Sequence, residues 1–252
     1  MRKDTGWPEM RGILRRIVFY VLCGGGAMTV ASAQTITVPG KSNVFGAGHL
    51  TAPSPGGGTG GTLPPVISVA GGSLLSILAT GTIAGDINKP SNGPDGGTQY
   101  SLTNVSSFGG ISGIAHDSRT MFLVGVFVSN SEPSGAAPAS LTYNLATAGL
   151  SNYSPLLNQT FFIGDGLTGT GSGTAQGFAV PAGATRLFFG FADSFNAGSQ
   201  TLTGAPGFYG DNGGSLSVTI SAVPEPSSVL TALALIGLIG WRERRNRCRA
   251  TG

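Results

Sequence analysis

Leu216, Val218 and Ile220 alternate with Ser215, Ser217, Thr219 and Ser221 in "GSLSVTIS". A period of two sends one set to a buried face and the other toward water, so this stretch is predicted to be a half-buried strand. "RLFFGFAD" repeats the pattern, with Leu187, Phe189 and Phe191 on one face. "TITVPG" (35–40) opens as a strand, and "VISVAGGSLLSILATGTI" (66–83) reads as two strands around Gly71-Gly72. "TMFLVGVFV" (120–128) is apolar throughout, as expected of a strand covered on both faces, and "TFFIGDG" (160–166) is similar. Residues 169–193 read as strand, turn at Pro181-Ala182-Gly183, and strand. No segment keeps a 3.6-residue period over three turns. The expectation is an all-β fold, a jelly-roll-like β-sandwich of about eight strands.

The pattern fails in four places. "TAPSPGGGTGGTLPP" (51–65) is rich in Pro and Gly and reads as a loop or linker, while "SNGPDGG" (91–97) is a loop. The N-terminus carries Arg11, Arg15 and Arg16, then "IVFYVLCGGGAMTV", then Ala31-Ser32-Ala33. A basic region, an apolar run and an A-x-A site define a signal peptide over 1–33, cleaved after Ala33. Met10 would serve as an alternative start. The C-terminus passes from Pro224-Glu225-Pro226 through the apolar run 229–241 to Arg242, Arg244, Arg245, Arg247 and Arg249. Two prolines keep the first part out of any sheet ladder, and the arginines set the tail on the cytoplasmic side of a membrane. The apolar run falls short of the roughly 20 residues of an ordinary span and would borrow residues from Ala222 onward. The domain expectation is therefore a signal peptide (1–33), a β-sandwich (34–222) and a sorting segment (223–250) with a transmembrane helix over 229–241.

Charge sharpens this division. Residues 34–222 hold four cations (Lys41, Lys89, Arg119, Arg186) against seven acids (Asp86, Asp95, Asp117, Glu132, Asp165, Asp193, Asp211), which leaves the span at −3. The basic excess of the whole chain lies in its ends. Nucleic-acid binding needs a cationic surface to displace counterions, so it is set aside. Cys23 and Cys248 also lie in the ends, so the central region cannot close an internal disulfide. Such an exported domain needs another staple or a good core, and a bound metal would serve as the staple.

The C-terminal order of Pro224-Glu225-Pro226, short apolar helix and arginine cluster (Arg242, Arg244, Arg245) resembles the PEP-CTERM sorting signal of Gram-negative bacteria. That resemblance implies recognition by an exosortase-type membrane enzyme and transient anchoring by the C-terminal helix. It also implies release to the cell surface or to an exopolysaccharide and biofilm matrix.

Candidate chemistry is sparse. There are two histidines, His49 and His116, and neither G-x-S-x-G nor H-E-x-x-H occurs. His116-Asp117 reads as the lead-in to an apolar strand. A polysaccharide hydrolase would need two placed carboxyl groups, and no pairing can be read from the spacing. Oxygen ligands are better represented. Asp193 ends one strand, and Asp211-Asn212 opens another behind Phe208 and Tyr209. Calcium takes six to eight oxygens from carboxylates, amides and carbonyls, which suits Asp193, Asp211 and Asn212. Taken alone, Asp211-Asn212 also fits an ordinary turn.

"FAD…PGFYGDNGGSLSVTI" resembles the C-terminal part of the calcium-dependent, galactose-binding bacterial lectins of the LecA type. The resemblance implies a jelly-roll sandwich whose calcium holds sugar hydroxyls. It implies side-chain ligands at Asp193, Asp211 and Asn212 and main-chain carbonyl ligands at Phe208 and Gly85. The segment 192–208 is longer here than in those lectins, and "SNGPDGG" has no counterpart of their sugar-contacting His-Gln segment. The expected function is a non-enzymatic, calcium-dependent carbohydrate-binding protein of the surface or matrix. The alternatives are a structural matrix protein without a ligand and, third, a polysaccharide hydrolase.

Overall fold

The computed structural model describes residues 33–195 and 204–224. In chain order the strands are β1 (Gln34–Pro39), β2 (Val66–Ser68), β3 (Leu74–Ala84), β4 (Thr103–Val105), β5 (Ile114–His116), β6 (Val124–Val128) and β7 (Leu141–Tyr143). There follow β8 (Asn152–Tyr153), β9 (Thr160–Phe162), β10 (Leu167–Gly169), β11 (Ser172–Ala175), β12 (Gly177–Ala179), β13 (Arg186–Gly190) and β14 (Gly213–Ala222). The one α-helix among the described residues is the single turn α1 (Leu145–Ala148), closed by an Asn144–Thr147 capping box.

Two sheets face each other. The first has the order β1-β14-β3-β12-β8 and the second β2-β13-β6-β9. A three-stranded sheet β4-β5-β7 and the hairpin β10-β11 complete the set. The core is drawn from both main sheets. Val38, Ile77, Leu216, Val218 and Ile220 come from the first and Val126, Phe161, Leu187 and Phe189 from the second, in one buried cluster. Each such side chain contributes about 1.5–3 kcal/mol when fully withdrawn from water. The chain is an all-β sandwich.

The alternating strand is found as expected. In β14, Leu216, Val218 and Ile220 are buried while Ser215 and Ser217 are exposed. It pairs antiparallel with β1 and, over its whole length, with β3. In β13 the facing set Leu187 and Phe189 is buried, and Phe188 on the other face is covered too. The strand count exceeds eight because short strands such as β4, β5, β7 and β8 form in segments where none was expected. The apolar run 120–128 pairs as a strand only from Val124, because Met121 takes a left-handed φ of 53° that interrupts the extended chain.

Two turns between expected strands carry the chain from one sheet to the other. β2 lies in the second sheet and β3 in the first, so Gly71-Gly72 is a crossover. Pro181-Ala182-Gly183 crosses back between β12 and β13. The two crossovers hydrogen-bond to each other, Gly72 N–H to Val180 O at 2.9 Å and Val180 N–H to Ser73 O at 2.8 Å. They close one end of the sandwich. The opposite rim, where β13 and β3 end and β14 begins, holds the candidate site.

Candidate functional site

The rim is built by one returning segment. Beyond β13, Phe191 bonds to Ser42 and Val44 on either side, which draws the strand end toward the first sheet. Asp193 follows. The chain comes back at Gly207, whose N–H donates to Asp193 O at 3.1 Å. Tyr209, fully buried, fastens the same point: its hydroxyl donates to Phe191 O at 2.9 Å and accepts from Asp193 N–H at 3.0 Å. A short 3-10 turn, Tyr209–Asp211, then delivers Asp211 and Asn212 to the start of β14. Phe208 precedes that turn at φ 66°, an uncommon conformation for a non-glycine residue, held by its N–H bond to Gly57 O.

The Pro/Gly-rich stretch 51–65 lies against this segment as a strap. Gly56 N–H donates to Pro206 O at 2.9 Å, and Tyr209 N–H donates to Thr59 O at 3.0 Å. Its composition has a packing reason. At Gly61 (φ 69°) a Cβ would collide with Lys41 O and with the Tyr209 side chain, and at Gly56 with Ala205 O.

Hydrogen bonds and strand pairing bring Asp193, Asp211, Asn212 and Gly85 to the same rim, and chain connection sets Phe208 at its edge. Asp193 and Asn212 are joined by a side-chain hydrogen bond. Gly213, next to Asn212, pairs with Ala84, and Ile87 N–H donates to Asp211 O at 2.7 Å, so Gly85 lies beside the Asp-Asn pair. Phe208 stands one residue before Tyr209. Its ring meets the Phe195 ring at 5.1 Å, centroid to centroid. Sequence reasoning missed two neighbours. Burial raises the Tyr100 hydroxyl above its ordinary range, and the charges of Asp86, Asp193 and Asp211 add to the rise. A Cβ at Gly85 would stand 3.5 Å from the Tyr100 ring, which sets Tyr100 beside the Gly85-Asp86 corner. Asp86 stands directly after the singled-out Gly85, and that adjacency was the available signal.

The electrostatics of the cluster are unbalanced. Burial pushes the Asp193 carboxyl up to about 7. Its hydrogen bonds from Asn212 and from Ser194 N–H work against that rise, and the Asp211 charge adds to it. Asn212 is fully buried; its amide N–H reaches Gly40 O at 3.2 Å, while its Oδ1 has no hydrogen-bond partner. An unpartnered buried oxygen costs about 1–3 kcal/mol. An oxygen-seeking divalent cation would fit this donor set, since it favours ionised carboxylates and accepts amide oxygen. Among the described residues no group of three or more His, Cys, Asp or Glu forms a ready metal cage, so such a cation would draw on Asn212 and on backbone carbonyls as well.

The histidines are engaged elsewhere. His116 Nδ1 accepts the Ser118 N–H at 3.2 Å, and the Ser118 hydroxyl donates to Asp117 at 2.7 Å rather than to the imidazole. His49 bridges Glu132 at 2.8 Å and Gly109 O at 2.9 Å, joining three loops. Neither arrangement presents an activated hydroxyl.

Of the sorting residues, Pro224 is exposed and is the last one described after β14. Glu225, Pro226, Arg242, Arg244, Arg245 and the expected span 229–241 lie outside the described residues, as do residues 1–32 of the expected signal peptide. Among the described residues no helix is long and apolar enough to cross a membrane.

Residues 222–245 match the PEP-CTERM protein-sorting motif. The motif marks the chain for export, for processing by exosortase and for membrane-associated sorting to the cell surface. No curated protein matches the chain. Among solved structures, the chain is similar to one described as "EclA N-terminal domain; PllA-like lectin", at 16% identity and a TM-score of 0.34, over 75% of this chain and 95% of that one. The sandwich itself stands on its own strand pairing.

Proposed function

We propose that this exported protein is a non-enzymatic binding protein of the cell surface or matrix, and that its rim cluster takes calcium and, through it, carbohydrate. One observation carries the calcium reading: the desolvated Asp193 carboxyl, raised to about 7, beside the Asp211 charge and the unpartnered, buried Oδ1 of Asn212. Asp193, Asp211 and Asn212 would hold the ion by side-chain oxygens, with Gly85 and Phe208 offering carbonyls. Bound calcium supplies positive charge and open coordination positions for hydroxyl groups. The protein's own residues do the rest. Tyr209 fixes the Asp193 backbone, the glycine strap fixes Tyr209, and the start of β14 fixes Asn212.

The lectin resemblance of Asp193 with Phe208, Asp211 and Asn212 supports carbohydrate as the ligand class. Galactose is the sugar it implies, with matrix polysaccharide as the wider class. In the same reading residues 1–33 are removed on export, 34–222 are the binding domain, and 223–250 are the sorting segment with its span at 229–241.

Calorimetry on the full chain with calcium chloride tests the proposal. Saturable binding that Asp211→Ala weakens is expected. Absence of binding, with identical melting in calcium and in chelator, would leave a structural matrix protein without a ligand.

A further inference from the structure

Phe195 lies two residues beyond Asp193, yet 75% of it is exposed. It is not a stray surface residue. Its ring is tilted at 39° against Phe208, and the Phe208 ring in turn rests on the Gly57-Gly58 backbone of the strap. The sandwich thus holds an aromatic face toward solvent beside the acidic cluster. Ile87, 72% exposed, packs next to Gly213 on the same rim, and Tyr100 is 41% exposed. Exposed apolar surface set among polar groups marks a binding surface.

Charge selects the occupant. Asp86 directly precedes Ile87, whose N–H bonds to Asp211 O, and Asp193 is hydrogen-bonded to Asn212, so three carboxylates share this rim. Among the described residues no Lys or Arg is ion-paired to them. A divalent ion neutralises two of the three carboxylates, so the rim stays negative and repels a uronate or sulfated chain. An anionic ligand is therefore disfavoured, and a neutral one must offer hydroxyls to the polar cluster and an apolar face to the ring. A pyranoside does this, because its axial C–H groups form one hydrophobic face.

We propose that Phe195 is the stacking platform of the site and that it selects an uncharged pyranoside, held by its hydroxyls at the Asp193–Asn212 cluster and by its C–H face on the Phe195 ring. This rests on the calcium reading above, and the two are separable by experiment. Full chain is titrated with calcium chloride and then with the methyl glycosides of galactose, glucose and mannose, with galacturonic acid methyl glycoside as charged control. At least one neutral glycoside should bind and the uronate should not.

Phe195→Ala should leave calcium binding intact and weaken the glycoside by about five- to tenfold, the scale of an aromatic stacking contact. Phe195→Trp should restore it. Calcium binding without any neutral glycoside binding, an equal response to the uronate, or unchanged affinity in Phe195→Ala would each overturn this proposal while sparing the calcium reading. Binding of neither calcium nor glycoside would overturn both. Glycoside binding that needs Phe195 but not calcium would support the platform and remove the ion.

Discussion

Two aspartate pairs sit at loop ends of this sandwich, and they are built to opposite effect. In the pair Asp95/Asp165 the acceptors are taken by the backbone. Asp95 Oδ1 receives the Asp165 N–H at 2.8 Å, and Asp165 receives Leu167 N–H at 2.8 Å on one oxygen and Gly171 N–H at 2.6 Å on the other. Burial raises the Asp165 pKa, and these N–H bonds oppose the rise. Such carboxylates shape the β10–β11 hairpin and its approach. In the pair Asp193/Asp211 burial carries Asp193 to about 7, and the neighbouring Asn212 keeps an unpartnered, buried oxygen. Acidity alone does not distinguish a scaffold from a site; the difference is that the second pair has beside it a buried amide oxygen, Asn212 Oδ1, with no partner.

The largest expected contrast is in pH dependence. A carboxyl whose folded pKa lies above its unfolded value binds its proton more tightly when folded. Its stabilisation is full below the unfolded value of 3.8 and is lost as pH rises through the folded value of about 7. In chelator, the unfolding free energy should therefore fall by up to about 4 kcal/mol from Asp193 between pH 4 and pH 8. Calcium, which binds the ionised form, should remove that fall, while the same-signed contribution of Asp165 should persist. Urea titrations across this range, with calcium or chelator, read the difference; superimposable profiles would break the comparison.

Next in size is loss of the ligand itself. Asp193→Ala should weaken calcium by about a hundredfold or more, since an ion left with one fewer buried charge loses on the order of 3 kcal/mol. Asp193→Asn should also lose calcium, yet in chelator at pH 8 it should be more stable than the parent, because the desolvated charge is gone. Calorimetry and urea denaturation on the same samples test both signs. Asp165→Ala should do the reverse: about 2 kcal/mol of stability lost as backbone N–H groups lose their acceptors, with calcium affinity unchanged. The smallest effect is expected at Asp86, where Asp86→Asn should reduce calcium affinity only several-fold, by about 1 kcal/mol of longer-range attraction. A full loss there would make Asp86 a direct ligand.

Much of the sandwich was legible because a strand exposed on one face writes its burial into a period of two. Leu216, Val218 and Ile220 announce β14, and Leu187 and Phe189 announce the core side of β13. Turn residues announce a change of direction but not its destination. Gly71-Gly72 and Pro181-Ala182-Gly183 read as turns between strands, and the local chemistry is the same whether the next strand pairs beside the last or joins the other sheet. The strap was opaque for a related reason. Glycine in 51–65 looks like freedom, whereas at Gly56 and Gly61 it is a requirement set by Ala205, Lys41 and Tyr209, residues distant in sequence.

By itself the sequence determined the alternating strands, the sorting motif at 222–245 and the oxygen-bearing residues Asp193, Asp211 and Asn212, because each is written in short spacings or in residue type. Tertiary structure alone decided that Tyr209 would clamp Asp193, that Asp86 and Tyr100 would join the cluster, and that Asn212 would be buried with an oxygen unpartnered. Those outcomes depend on which strand ends meet at a rim. That meeting is settled by core packing and long-range pairing, such as β14 against β3, rather than by any local run of residues.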